Sequence, residues 1–205
     1  RDDFQAVVVG SGPSGLTAAI ALAGAGFATA LIGPRAGDDY RTTALLTSSV
    51  AALSTLGVWD LCRDHAAALR ILRIVDDTAR LWRAPETRFD CAEIGLDAFA
   101  HNIENRHLVA ALESKAADIP GLQRYPVGAV AVRPSADHIE VELADGTHLR
   151  AQLVVGADGR NSICREAAGI ELRSASYPQV ALTYNVAHGR PHRDISTEFH
   201  TEHGP

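Results

Sequence analysis

The first apolar run of the chain, Ala6-Val7-Val8-Val9, breaks at Gly10-Ser11-Gly12-Pro13-Ser14-Gly15. The glycines fall at Gly-x-Gly-x-x-Gly spacing, and each has its own physical task. Gly10 allows a tight turn out of a strand. Gly12 lets backbone approach a diphosphate with no side chain in the way. Gly15 allows close packing of helix on strand. The helix predicted over residues 13–23 aims its N-terminal amides and the positive end of its dipole at the phosphates. Pro13 suits its first turn, where an N–H would have no intrahelical partner.

Outward from this point, Thr29-Ala30-Leu31-Ile32 is a second apolar run, and it closes a βαβ unit of about 30 residues. That context separates the motif from glycines that merely mark turns. The stretch 13–32 is mostly apolar but is not a membrane span. Gly15, Gly24 and Gly26 interrupt it, and Gly24-Ala25-Gly26 reads as a helix stop. The second strand of such units often ends in Asp or Glu, which binds the ribose hydroxyls. Here Gly33 holds that position, followed by Pro34 and Arg35. Asp38, Asp39 or water is left to reach the ribose. Arg35 is either a solvated loop charge or the partner of a 2'-phosphate, which is the NADP reading.

A second glycine motif lies roughly 145 residues on. Leu153-Val154-Val155 runs into Gly156-Ala157-Asp158-Gly159-Arg160-Asn161-Ser162. Strand again gives way to helix. The two motifs in this order point to one large cofactor with a diphosphate and a second reactive part, FAD. Composition agrees with a soluble globular chain of 205 residues, 46% hydrophobic and 21% charged. A net charge of −6 and no basic tract argue against nucleic-acid binding. Cys62, Cys91 and Cys164 have no CxxC spacing, so they indicate a reduced, cytoplasmic setting and no metal site. No Ser/His/Asp or Cys/His arrangement stands out, so no catalytic side chain is identified. His65 and His107 have no partner legible in the sequence. The pattern fits chemistry carried by a cofactor.

Along the chain, residues 47–56 read as a capped helix and 59–65 as a short one. Residues 69–75 and 81–83 read as strands, and 105–118 as a helix with Leu108, Leu112 and Ala116 on one face. Residues 127–132 and 139–143 read as strands, and Ala144-Asp145-Gly146-Thr147 as a hairpin turn into His148. Residues 177–187 and 195–200 read as two strands of a separate antiparallel sheet. The expected fold is therefore α/β. A Rossmann-like FAD-binding domain has a parallel sheet and a small antiparallel meander, beside the start of a second, antiparallel substrate-domain sheet. Residues 1–68 and 100–172 are assigned to the first domain. Residues 69–99 and 173–205 are assigned to the second, with ligand in the crevice between them.

The chain resembles the flavin-dependent aromatic hydroxylases of the para-hydroxybenzoate hydroxylase type, and within them the ubiquinone-biosynthesis hydroxylases. The residues that carry this are Val7 to Gly15, Arg41-Thr42-Thr43-Ala44-Leu45, Asn102-Ile103-Glu104-Asn105-Arg106 and Val154 to Ser162. Tyr177-Pro178-Gln179 and Ser196-Thr197-Glu198-Phe199-His200 also look like that branch. The resemblance implies that Gly10, Gly12, Pro13, Ser14 and Gly15 cradle FAD. It implies that Arg41 lies near the flavin and its diphosphate, and that Asn105 and Arg106 open a helix facing the diphosphate. It gives Asp158 and Gly159 a role toward both FAD and NAD(P)H. Bland alternatives stay open: Arg41 as a surface charge, and Asn105 and Asp158 as helix caps.

The resemblance further implies NAD(P)H or another electron donor, O₂, and a flavin hydroperoxide that hydroxylates a polyprenylated phenol. The lipid tail implies contact with the surface of the inner membrane, and the pathway implies complex subunits as partners. A later Gly-Asp motif of the family is absent and the chain stops at Pro205, so an N-terminal portion is expected, which alone binds FAD poorly and is inactive. Two other readings remain: another FAD-dependent oxidoreductase of this fold, or a non-catalytic subunit of a quinone-biosynthesis complex.

Overall fold

The computed structural model describes residues 2–204. In chain order its elements are β1 (Asp2–Val9), α1 (Pro13–Gly24), β2 (Thr29–Ile32), β3 (Thr42–Leu46), α2 (Thr47–Thr55), β4 (Ala66–Leu69), β5 (Ile71–Asp76) and β6 (Thr87–Asp90). They continue with β7 (Ala100–Glu104), α3 (Asn105–Ala117), β8 (Leu122–Tyr125), β9 (Ala129–Pro134), β10 (Ile139–Leu143), β11 (His148–Gly156), α4 (Ile163–Ala167) and β12 (Ile195–His200).

The largest sheet has six strands in the order β8-β2-β1-β11-β10-β9. Its first four strands run parallel, and β11, β10 and β9 form an antiparallel meander. This is the expected α/β fold. β1 is buried on both faces, which explains its unbroken apolar run. Val8 packs with Leu16 and Ile20 of α1 and Leu108 and Leu112 of α3. Val7 and Val9 belong to the opposite cluster, with Ile32, Val141 and Leu149. The hairpin at Ala144–Thr147 forms as predicted, with Gly146 at φ +84° and its amide on Leu143 O.

Two smaller sheets lie beyond it: β3-β7-β4, which is antiparallel, and β12-β5-β6. Several expectations change here. The run predicted as one strand over 69–75 splits at Arg70, and its two parts join different sheets. The amides of Arg70 and Ile71 both donate to Asp194 O, at 2.9 and 3.2 Å, which turns the chain at that point. β12 forms over the predicted residues but runs parallel to β5, so the second sheet is mixed rather than antiparallel. Leu81-Trp82-Arg83 is no strand, because it is the loop joining β5 to β6. Residues 177–187 alternate like a strand but pair with no strand among the described residues. A strand needs a ladder partner, and this segment hydrogen-bonds elsewhere. Asn185 donates to Tyr40 O and to Glu104. The predicted helix over 59–65 is two short 3₁₀ turns, Trp59–Leu61 and Arg63–His65, broken at Cys62. The predicted cap of α2 is missing, because its N-cap is Leu46 and Thr47 Oγ1 donates to Ala98 O instead.

Candidate cofactor site

The two glycine motifs meet. β1 and β11 are in register at Val9 and Gly156, so both chains leave the sheet side by side. Ala157 N donates to Val9 O at 2.7 Å, and Gly10 N donates to Ile32 O at 2.8 Å. A Cβ at Gly10 would lie 2.1 Å from Ala157 O, and φ there is +110°. A Cβ at Gly15 would lie 1.8 Å from Gly10 O. Both glycines are therefore demanded by backbone packed on backbone.

Gly12 is different. A Cβ there would meet no protein atom within 4 Å. Its bare backbone faces open space, which suits the approach of a ligand. Gly12 is also the N-cap of α1, and no side chain caps that end, while Pro13 stands in the first turn. Uncapped amides at the positive end of a 12-residue helix fit a diphosphate. Ser14 is exposed on the same turn.

A cavity of about 240 Å³ lies beside this loop, lined by Gly10, Ser11, Gly33, Pro34, Gly128, Ala129, Asp158 and Asn161 among others. Asp158 accepts from Ser162 Oγ at 2.6 Å and from Cys164 N at 3.2 Å, while Ser162 Oγ accepts from Arg165 N. Asp158 and Ser162 thus jointly cap α4. Burial pushes the Asp158 carboxyl up, but the bonds from Ser162 and the Cys164 amide outweigh it and hold it below the usual range. Burial, then the Asp158 charge, pushes the neighbouring Cys164 thiol up to about 12. Gly159 has φ +79° and open space around it.

The glycine where a ribose-binding acid was expected has a steric cause. Gly33 is buried with φ +144°, and a Cβ would lie 2.6 Å from Ser11 Oγ. Ser11 Oγ donates to Pro34 O at 2.5 Å, and Arg124 Nη1 donates to Gly33 O at 3.0 Å.

Arg41, Asn105 and Arg106 form a second cluster, gathered by Asp39. The Arg41 guanidinium donates twice to the Asp39 carboxylate, at 2.9 and 2.8 Å. Asn105 Nδ2 donates to the same carboxylate at 2.9 Å, and Thr43 Oγ1 donates to Asn105 Oδ1. The amides of Asn105 and Arg106, which open α3, donate to Arg41 O and Asp39 O. Arg106 lies over the Tyr40 ring, 4.7 Å from its centroid, and pairs with Glu104 at 2.5 Å. The Arg41 guanidinium and the Asn105 amide hold the Asp39 carboxyl far below the usual range. Asp39 is therefore a clasp, whereas Asp38 stays exposed beside Arg35 and Arg106. Asn105 is the first residue of α3 rather than its N-cap, which is Glu104.

Gly10, Gly15 and Asp158 thus converge on one end of the large sheet. Arg41, Asn105 and Arg106 form a separate group at the start of α3, and α3 packs against α1. Sequence reasoning missed Ser11, although it lies inside the quoted motif. It also missed the Asp39 clasp and the pocket wall at Gly128 and Ala129, which no motif marks. His65 and His107 do have partners. Their rings stack with centroids 3.9 Å apart, and His107 lies 3.8 Å from Glu104.

Residues 3–201 match the FAD binding domain family. The ubiquinone hydroxylase UbiL of Rhodospirillum rubrum is 33% identical over 97% of this chain and 47% of its own length. The 3-demethoxyubiquinol 3-hydroxylase of Escherichia coli is 32% identical over 98% of this chain and 53% of its own. The chain spans about half the length of these curated relatives. The flavin-dependent monooxygenase PieE, solved with FAD and substrate, shares the fold. Its TM-score is 0.68 at 23% identity, over 84% of this chain and 33% of that one. The resemblance to ubiquinone-biosynthesis hydroxylases read from the motifs holds.

Proposed function

This chain belongs to the FAD binding domain family, and from that premise we propose that the protein is an FAD-dependent monooxygenase. Its substrate in this reading is a polyprenylated phenol of ubiquinone biosynthesis, and its co-substrates are O₂ and NAD(P)H or another electron donor. The observation that carries the reading is the meeting of two glycine motifs around the open Gly12 backbone.

Gly12 and the first turn of α1, including Ser14, hold the diphosphate. Gly10 and Gly15 keep the β1–α1 turn close to β11. Asp158 and Gly159 form the wall toward the cofactor and the nicotinamide donor. Arg41 turns from Asp39 to the diphosphate, and Asn105 and Arg106 steady that side. Bound there, FAD would supply the redox chemistry of a monooxygenase, with the donor as the source of two electrons and O₂ as the source of the oxygen atom added to the ring and of the water released. The protein's part is to orient the ring and exclude water. An apolar groove of about 590 Å³ lies between the two smaller sheets, walled by Leu46, Leu69, Ile71, Phe89, Ile94 and Phe99. It suits a ring with an apolar tail.

In this reading residues 1–68 and 100–172 form the FAD-binding domain, and 69–99 with 173–205 form part of the substrate-binding domain. The protein works in the cytoplasm, in peripheral contact with the inner membrane and with other subunits of the pathway. No helix among the described residues is long and apolar enough to cross a membrane.

The first test is an absorbance spectrum of the purified full-length protein, followed by denaturation and identification of the released cofactor. Next, NAD(P)H and O₂ consumption is followed with and without a prenylated phenol. Released FAD and a phenol product heavier by one oxygen support the reading. A colourless protein that FAD cannot reconstitute would sink it in favour of a non-catalytic subunit. FAD without phenol-stimulated turnover would favour another flavin oxidoreductase.

A further inference from the structure

The loop joining β5 to β6 carries the two most exposed large apolar side chains of the described residues. Leu81 is 91% exposed and Trp82 is 88% exposed. The other tryptophan, Trp59, packs against the core. Arginines flank the pair in the order Arg80-Leu81-Trp82-Arg83, and both are exposed.

The loop is built to hold this tip out. Asp76, at the end of β5, accepts from Thr78 N, Thr78 Oγ1 and Ala84 N at 3.1, 2.7 and 2.8 Å, which ties the loop across its neck. The acidic groups nearby lie at its base. Glu86 is engaged by Arg73 and Arg88, and Asp77 lies 4.0 Å from Arg83. The tip therefore presents apolar surface with the positive charge of Arg80 and Arg83 at its edge, while Asp76 and Glu86 are engaged behind it.

We infer that Arg80-Leu81-Trp82-Arg83 docks on the surface of an anionic phospholipid bilayer. Tryptophan and leucine enter the interfacial layer, where an amphipathic ring is favoured. The arginine stems follow while their guanidinium groups stay with the lipid phosphates. A tip of this size gives weak, reversible attachment rather than insertion. The binding itself stands on the loop. Its purpose, to bring the protein to a substrate with a lipid tail, rests on the proposed function.

The test is co-sedimentation of the purified, flavin-loaded protein with phosphatidylcholine vesicles, with and without phosphatidylglycerol. Trp82 fluorescence is followed in parallel with brominated lipids. Anionic vesicles should bind the protein, and brominated lipid should quench a signal that is lost in Trp82→Phe. The pair Leu81→Ser and Trp82→Ser should lower partitioning about tenfold or more. The pair Arg80→Gln and Arg83→Gln should lower it about tenfold on anionic vesicles alone. Flavin content and thermal midpoint should stay unchanged in all variants, which separates loss of docking from loss of fold. Equal sedimentation of parent and variants would overturn the inference. So would Trp82 shielded from acrylamide without lipid, because protein would then cover the tip. Failure of phenol-stimulated turnover with vesicle binding intact would count against the proposed function alone.

Discussion

The glycine end of the large sheet and the Asp39 clasp would face the same diphosphate, yet they are held in opposite ways. At the first, Gly10, Gly15 and Ala157 are backbone pressed on backbone, with no room for one added carbon. At the second, the Arg41 side chain is 74% exposed and held by the carboxylate of Asp39. Packing of the first kind is set once the chain folds and has no alternative state. Ion pairs of the second kind are open to water and salt, and this one relies on its two-point geometry. The molecule thus combines a packed glycine turn with an exposed arginine whose partner is the carboxylate of Asp39.

Substitutions can break this contrast. Gly10→Ala and Gly15→Ala should have the largest effect, each costing about 3 kcal/mol or more, since backbone must shift. Urea unfolding followed by circular dichroism would read this, and a loss under about 1 kcal/mol would show that the contact yields easily. Gly33→Asp should cost about 2 kcal/mol, from its φ and from Ser11 Oγ. If that variant kept its stability and gained FAD affinity, the steric account of the missing acid would fail.

Asp158→Asn should cost about 1 kcal/mol by weakening the cap of α4. It should also change the acid limb. The Asp158 carboxyl titrates lower in the folded protein than in the unfolded one, so the unfolded state binds more protons between the two values. Its contribution is present above the unfolded pKa, about 3.9, and is lost as pH falls through the lower folded value. Stability measured across this window should fall less steeply in Asp158→Asn than in the parent, and identical slopes would refute the assignment.

Gly12→Ala should be milder still, under about 1 kcal/mol in stability, because a Cβ there meets no protein atom. It should nonetheless weaken FAD binding in a fluorescence titration. Unchanged affinity would mean that Gly12 does not face the cofactor. Arg41→Ala sharpens the other side of the contrast. It should leave the thermal midpoint in place and weaken FAD binding more at low salt than at high salt.

Much of the large sheet was legible because its signals are local. A strand such as Val7–Val9 buried on both faces is apolar throughout, and a helix of the α3 type shows its Leu108–Leu112–Ala116 stripe. The Asp145-Gly146 turn announces a hairpin. The small sheets were less legible. Residues 69–75 look like one strand, and only Asp194, far along the chain, splits them at Arg70. Residues 177–187 have the alternation of a strand, but alternation does not supply a partner. In the site, the glycine spacing was readable, whereas Asp39 was weighed as a ribose ligand. Its hold on Asn105 depends on bringing the start of α3 beside the 33–41 loop.

By itself, then, the sequence determined the β1–α1–β2 unit, the meander, and the residue types that can cradle a diphosphate. These rest on periodicity and glycine geometry within a few residues of chain. Only the tertiary structure decided that Val9 and Gly156 stand side by side, that Ser11 excludes an acid at Gly33, and that Asp39 holds Asn105. Each of those is a contact between segments remote in sequence, and its energy depends on distances that no local pattern encodes.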